Sequence, residues 1–235
     1  MSVFHQQMHI PVAHRRTITA DLVIPGEATA IVIFANAGPG SRLHRLHLAV
    51  AARLQHSGIG TLLPDLLDES ELAASAEFNI SLLTKRLVDV TKFINDRDLF
   101  GHYRLGYYGT ATGAACALQA AADLDSLIGA VVCRSARPDL VRDALPEIQS
   151  PVLFIVGSLD RYVLQLNRDA MESLSVEKKL TVVQAASHFF DESTIAEAAD
   201  LARSWFHCHL GLPAHNHRVP ALSTILPAPQ MDPKE

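Results

Sequence analysis

Apolar and polar positions along the chain switch between two periods, and the switching predicts the order of elements. Residues 8–13 and 17–25 follow a period of two, with Thr17, Thr19 and Asp21 on one face and Ile18, Ala20 and Leu22 on the other. They are expected to form an antiparallel pair at a sheet edge, joined by His14-Arg15-Arg16. Ala30-Ile31-Val32-Ile33-Phe34-Ala35 is apolar without interruption, as a central strand covered by helices on both faces must be. Asn36-Ala37-Gly38-Pro39-Gly40-Ser41 is rich in turn formers, and beyond it Leu43, Leu46, Val50 and Leu54 recur at helical spacing until Gly58. Residues 59–64 predict the next strand and 65–76 an acidic connection, after which Leu82, Leu83, Leu87, Val90 and Phe93 mark a long amphipathic helix.

The same alternation fills the second half. A strand over 102–108 runs into an Ala-rich helix over 114–122, and a strand over 127–133 is followed by Arg134-Ser135-Ala136-Arg137-Pro138-Asp139-Leu140 and a short helix. A buried strand spans 151–157, a helix includes 167–174, a last strand covers 179–184, and a closing helix over 194–210 packs through Trp205 and Phe206. The expected class is α/β, a mostly parallel doubly wound sheet of about eight strands with helices on both faces. Only residues 134–150 separate two of the strands, too few for a helical lid, so no cap domain is expected. Residues 1–212 read as one domain, and 213–235, with Pro213, Pro220, Pro227, Pro229 and Pro233 and no period, as a poorly ordered tail.

Composition narrows the function classes. The 235 residues are 49% hydrophobic, enough for one large core. Twenty Lys and Arg against 25 Asp and Glu give a net charge of -5 with no basic run, so nucleic acid is not an expected partner. Cys116, Cys133 and Cys208 are an odd set at unrelated spacings, and the N-terminus lacks a charged segment followed by an apolar core, which fits a reduced cytoplasm. No apolar run reaches membrane-spanning length, so no membrane association is expected.

In an open parallel sheet, ligands bind beyond the carboxyl ends of the strands. Four such places stand out: Asn36 to Ser41, Ala111, Asp160 and His188. Around Ala111, Gly109 and Gly113 hold the glycines of a Gly-x-Ser-x-Gly nucleophile elbow, with a methyl group where the hydroxyl should be. The order of nucleophile position, acid and His is that of the α/β-hydrolase triad. Each residue also has a plainer reading: a strand–turn–helix junction at Ala111, a helix cap at Asp160, a loop imidazole at His188.

Other candidates are weaker. His207, Cys208 and His209 do not share a helix face, and His215 and His217 fall in the tail, so no metal site is expected. No Lys-Ser/Thr pair follows Gly38-Pro39-Gly40, so it is not a phosphate loop and no cofactor is implied. Arg42, Arg134 and Arg137 follow strand ends and could fix an acidic group on a ligand or simply form a solvated rim. Cys133 reads as a small core residue.

The motifs Phe34-Ala35-Asn36-Ala37-Gly38-Pro39-Gly40-Ser41-Arg42, Tyr108-Gly109-Thr110-Ala111-Thr112-Gly113-Ala114-Ala115, Ile155-Val156-Gly157-Ser158-Leu159-Asp160 and Ala185-Ala186-Ser187-His188-Phe189-Phe190 together resemble the dienelactone-hydrolase-like branch of the α/β-hydrolases. That group consists of small proteins sometimes fused to phosphoribosyltransferase domains. The resemblance also takes in Thr61-Leu62-Leu63-Pro64-Asp65-Leu66-Leu67 and Cys133-Arg134-Ser135-Ala136-Arg137-Pro138-Asp139-Leu140, and runs from about Phe34 to Leu210. It implies an α/β-hydrolase fold and hydrolysis of small carboxylic esters or lactones. His188 would be the base, Asp160 the acid that orients it, and the backbone N–H groups of Gly38 and Thr112 the oxyanion hole; apart from the resemblance, Asn36, Arg42 and Arg134 are candidates for binding substrate because they lie just beyond strand ends. The chain departs from the family at Asn36-Ala37, where His-Gly is usual, and at Ala111, where Ser or Cys is usual. Thr110 and Thr112 have hydroxyls, but an elbow points its neighbours away from the base.

Two function classes remain. One is a hydrolase of small esters or lactones, inactive as written because Ala111 replaces its nucleophile. The other is a native pseudoenzyme that binds a small ligand or a protein partner in the former cleft. Under either reading the chain is expected to be a monomer or homodimer.

Overall fold

The computed structural model describes residues 3–13, 16–36, 41–68, 70–71, 76–97 and 100–211. Strands Val3–Val12 (β1) and Arg16–Pro25 (β2) pair antiparallel, with Val3 opposite Pro25 and Val12 opposite Arg16. β1 begins well before residue 8 because its first half is tied by the backbone ladder, and of its apolar residues only Phe4 packs on the core, half-buried, while Val3 is exposed, which leaves too little periodic signal to read. The sheet continues with Ala30–Ala35 (β3), Gly60–Pro64 (β4), Arg104–Thr110 (β5), Ile128–Arg134 (β6), Val152–Gly157 (β7) and Lys178–Val183 (β8). Its eight strands run in the order β1-β2-β4-β3-β5-β6-β7-β8, and from β4 onward all neighbours are parallel.

Successive side chains of β3 feed opposite faces, as the pleat requires. Ala30, Val32 and Phe34 join the core under helices Arg45–His56 (α1) and Glu192–Leu210 (α5). Ile31 and Ile33 join the core under Ile80–Asn95 (α2), Ala111–Asp123 (α3) and Arg161–Ser173 (α4). In β5, Tyr107 and Tyr108 divide in the same way and both are fully buried; the Tyr107 hydroxyl meets Thr91 Oγ1 at 2.5 Å.

β5 passes into α3 with no residue between them, so the helix starts earlier than residue 114. Small side chains allow this. A Cβ on Gly113 would sit 1.9 Å from the carbonyl oxygen of Ala35, so only glycine lets the first turn of α3 press against the end of β3. Between β6 and β7, Pro138–Glu147 forms a 3-10 segment kinked at Val141 that packs on α3 and α4 and puts no lid over the strand ends. The Pro-rich residues 213–235 lie outside the described residues. Among the described residues, no helix is long and apolar enough to cross a membrane.

Candidate active site

Ala111 is the first residue of α3 and holds a left-handed backbone, with φ of 49°. L-residues avoid this region because Cβ crowds the backbone, at a cost of roughly 1–2 kcal/mol. Thr110, the N-cap, is extended, and its Oγ1 donates to Asn36 Oδ1 at 3.0 Å, so Asn36 braces the elbow from the end of β3. The N–H of Thr112 falls in the first turn of α3, where backbone donors have no partner within the helix and the helix dipole favours negative charge. Gly38, expected to supply a second such donor, lies outside the described residues.

Asp160 follows β7 and caps α4. Its Oδ1 accepts the N–H of Val163 at 3.4 Å, and its Oδ2 lies 2.6 Å from Nδ1 of His188, which follows β8. The helix-cap reading and the acid reading of Asp160 therefore describe two oxygens of one carboxylate. The close approach of the two loops depends on Gly157, since a Cβ there would come within 2.3 Å of the Ala186 carbonyl oxygen. The Leu159 N–H donates to that same oxygen at 3.0 Å. A carboxylate at Nδ1 favours the imidazole tautomer that carries its proton on that nitrogen.

Ala111, Thr112 and His188 open onto one cavity of about 450 Å³, whose wall also includes Asn36, His44, His47, Glu77, Thr110, Arg134, Ser135, Phe189 and Phe190. Depressions of similar size lie between α1 and α5 and beside Arg16, but neither touches Ala111 or His188.

Arg134 is 5% exposed, lies in this wall, and pairs with no carboxylate among the described residues. Its Nε donates to the Tyr108 hydroxyl at 3.2 Å, Nη1 donates to the Phe189 carbonyl at 3.3 Å, and its guanidinium stacks 4.9 Å from the Phe190 ring. Arg42, expected in the same role, is a correction. Its guanidinium is held between Asp21 at 2.6 Å and Asp65 at 2.7 Å, outside the cavity, and these carboxylates, Asp21 foremost, raise its pKa further. The alternating face of β2 and the acidic stretch after β4 supplied those partners. Arg137 pairs with Asp139 at 2.8 Å.

Cys133 is fully buried and the apolar core pushes its thiol well above the ordinary range, so it is no nucleophile. His207 and Cys208 face solvent on α5, while His209 stacks 4.2 Å from Trp205. Sequence patterns passed over Ser135, His44, His47 and Glu77. Ser135 had one usable signal, its place directly after a buried strand at the carboxyl end of the sheet.

Comparison with known proteins bears on this arrangement. A family model described as the dienelactone hydrolase family matches residues 18–207. The crystal structure of a dienelactone hydrolase from Anabaena variabilis superposes with a TM-score of 0.85 at 37% identity, covering 89% of this chain and 99% of that one. Est1E from Butyrivibrio proteoclasticus, at 16% identity, shares the fold with a TM-score of 0.74 over 87% of this chain and 98% of its own. Over 196 residues the chain is 41% identical to a Mycobacterium tuberculosis protein named "Putative phosphoribosyl transferase", a match that takes in 82% of this chain but 44% of that protein.

Proposed function

The chain belongs to the dienelactone hydrolase family, and on that premise we propose that its cleft is that of a serine-type hydrolase of small carboxylic esters or lactones, complete apart from the nucleophile. The observation that carries this reading is the 2.6 Å contact between His188 and Asp160, on a cavity that also receives the left-handed elbow at Ala111.

In the working form of such a site, His188 Nε2 takes the proton of an elbow hydroxyl as that oxygen attacks the acyl carbon, and later returns it to the leaving alcohol. Asp160 keeps the imidazole in the right tautomer and stabilises its cation. The Thr112 N–H faces the oxyanion, with Gly38 as the second donor. Arg134 would neutralise an acidic group on the substrate, which supplies the carboxylate that this buried cation lacks. With a methyl group at 111 the attacking atom is missing, and the loss is on the order of a millionfold in turnover.

The same methyl group supports a second reading, a pseudoenzyme that binds a small acidic ligand in the former cleft. The transferase activity named for the mycobacterial relative is not carried over, because the match takes in 44% of its length. Ala111→Ser separates the readings. Under the hydrolase reading the variant gains hydrolysis of short p-nitrophenyl esters and labelling by a fluorophosphonate probe, both abolished by His188→Ala, while the unmodified chain shows neither. An Ala111→Ser protein that folds but stays inert to a broad ester and lactone panel would leave the pseudoenzyme.

A further inference from the structure

Ser135 is 2% exposed, lines the cavity, and holds a left-handed backbone with φ of 49°. A buried serine in that region is strained, and strain of this kind persists where the surroundings over-determine it. What the conformation achieves is visible in the contacts. The Ser135 N–H donates to Ile155 on β7 at 2.9 Å, which fixes the backbone, and its hydroxyl donates to the carbonyl oxygen of His188 at 2.9 Å.

The residues around it extend the grip in both directions. The Arg137 N–H donates to the carbonyl of Ala111 at 3.4 Å, and Asn167, fully buried, donates to the carbonyl of Ala136 at 2.9 Å. Arg134 holds the next two residues of the base loop, Phe189 through its carbonyl and Phe190 through its ring. One short segment after β6 is thus bonded to the elbow on one side and to the base loop on the other.

The geometry points to Ser135 as a positioning residue, whose hydroxyl ties the His188 backbone to the segment bonded to Ala111 and so sets where the imidazole stands relative to residue 111. This rests on the hydrolase reading of the cleft for its consequence in turnover, but not for its structural effect. Ser135 is not a stand-in nucleophile, because its proton is given to a carbonyl oxygen and not to an imidazole nitrogen.

The test uses Ser135→Gly, because glycine adopts the left-handed backbone freely, so the CH2OH side chain is lost without adding backbone strain. Ser135→Ala serves as the second variant. In the otherwise unmodified chain, the low-field Nδ1 proton resonance of His188, assigned by its loss in His188→Gln, is expected to be sharp. It should broaden or vanish in both Ser135 variants while their melting temperatures move by no more than a few degrees. In the Ala111→Ser background, Ser135→Gly should lower kcat by about 10–100-fold, the cost of a base displaced by an ångström or so, and leave KM within about twofold.

A resonance that stays sharp in both variants overturns the proposal, as does a fluorophosphonate label on Ser135 in the unmodified chain. If the Ala111→Ser background is inert, the resonance alone decides on Ser135, and the hydrolase reading fails separately.

Discussion

Asp160 presents one carboxylate oxygen to His188 at 2.6 Å and the other to the first turn of α4 at 3.4 Å, so the proposed acid of the site is also the cap of a helix. The two roles separate by mutation. Asparagine caps as well as aspartate, so Asp160→Asn should leave stability within about 0.5 kcal/mol, whereas Asp160→Ala should cost about 1 kcal/mol. In the Ala111→Ser background, both should lower kcat by about 10⁴, Asn because its amide stabilises the wrong imidazole tautomer. Urea denaturation and ester kinetics read the two roles independently, and equal losses of stability in both variants would remove the capping role.

Gly113→Ala drives a methyl group into the backbone of Ala35, where neither partner can yield, and should destabilise by about 3 kcal/mol or more. Gly129→Ala is the contrast. Its new methyl meets the end of the Leu210 side chain at 2.8 Å, which can rotate aside, and the Leu105 carbonyl oxygen at an ordinary contact distance of 3.6 Å, so a cost of about 1 kcal/mol is expected. Chemical denaturation of the two variants checks the ranking.

If Arg134 receives an acidic group, small carboxylates should raise the melting temperature of the unmodified chain, and added salt should weaken the effect. A ligand at a hundred times its Kd adds about 2.7 kcal/mol, a shift of several degrees. Arg134→Gln should abolish the carboxylate-dependent shift, and neutral esters of the same acids should produce none in either protein. An equal shift from acid and ester would mean that Arg134 does not select for charge.

Acid should loosen the stretch that follows β4. Glu71 makes two hydrogen bonds of 2.6 Å to the guanidinium of Arg86, which also donates to the Leu66 carbonyl at 2.6 Å. Arg86 holds the carboxyl of Glu71 below its ordinary value of 4.5 in the folded protein. The contribution to stability is therefore complete above the unfolded value and is lost as pH falls through the lower folded one. Glu71→Gln should flatten the fall in stability on the acid side, read by urea titrations from neutral pH downward, and Arg86→Met should cost about 1–3 kcal/mol at neutral pH by leaving the Leu66 carbonyl without its side-chain donor and Glu71 with only the Asp68 N–H and Arg16.

Elements whose residues are buried on both faces were legible because an uninterrupted apolar run such as β3 admits few other fates. The order of Ala111, Asp160 and His188 was legible because strand ends in a parallel sheet converge whatever the side chains between them. Arg42 was misjudged because its fate depends on Asp21, which arrives from a strand not adjacent in sequence. Ser135 carries no mark in the sequence because its significance lies in a backbone angle and in a carbonyl 53 residues away, neither of which has a residue-type signature. For Asp160 the sequence offers cap and acid as alternatives, since it does not show the two oxygens of one carboxylate meeting different partners.

The left-handed backbone at Ala111 has a genetic side. A methyl group there bears a steric cost that glycine would avoid, about 1 kcal/mol, or about a fivefold change in the ratio of folded to unfolded chains. Stability alone would drive this codon towards glycine. Alanine and serine codons, however, differ by a single base, so a gene that retains alanine here stands one point mutation from a hydroxyl at this position, in a cleft where His188 and Asp160 are already joined.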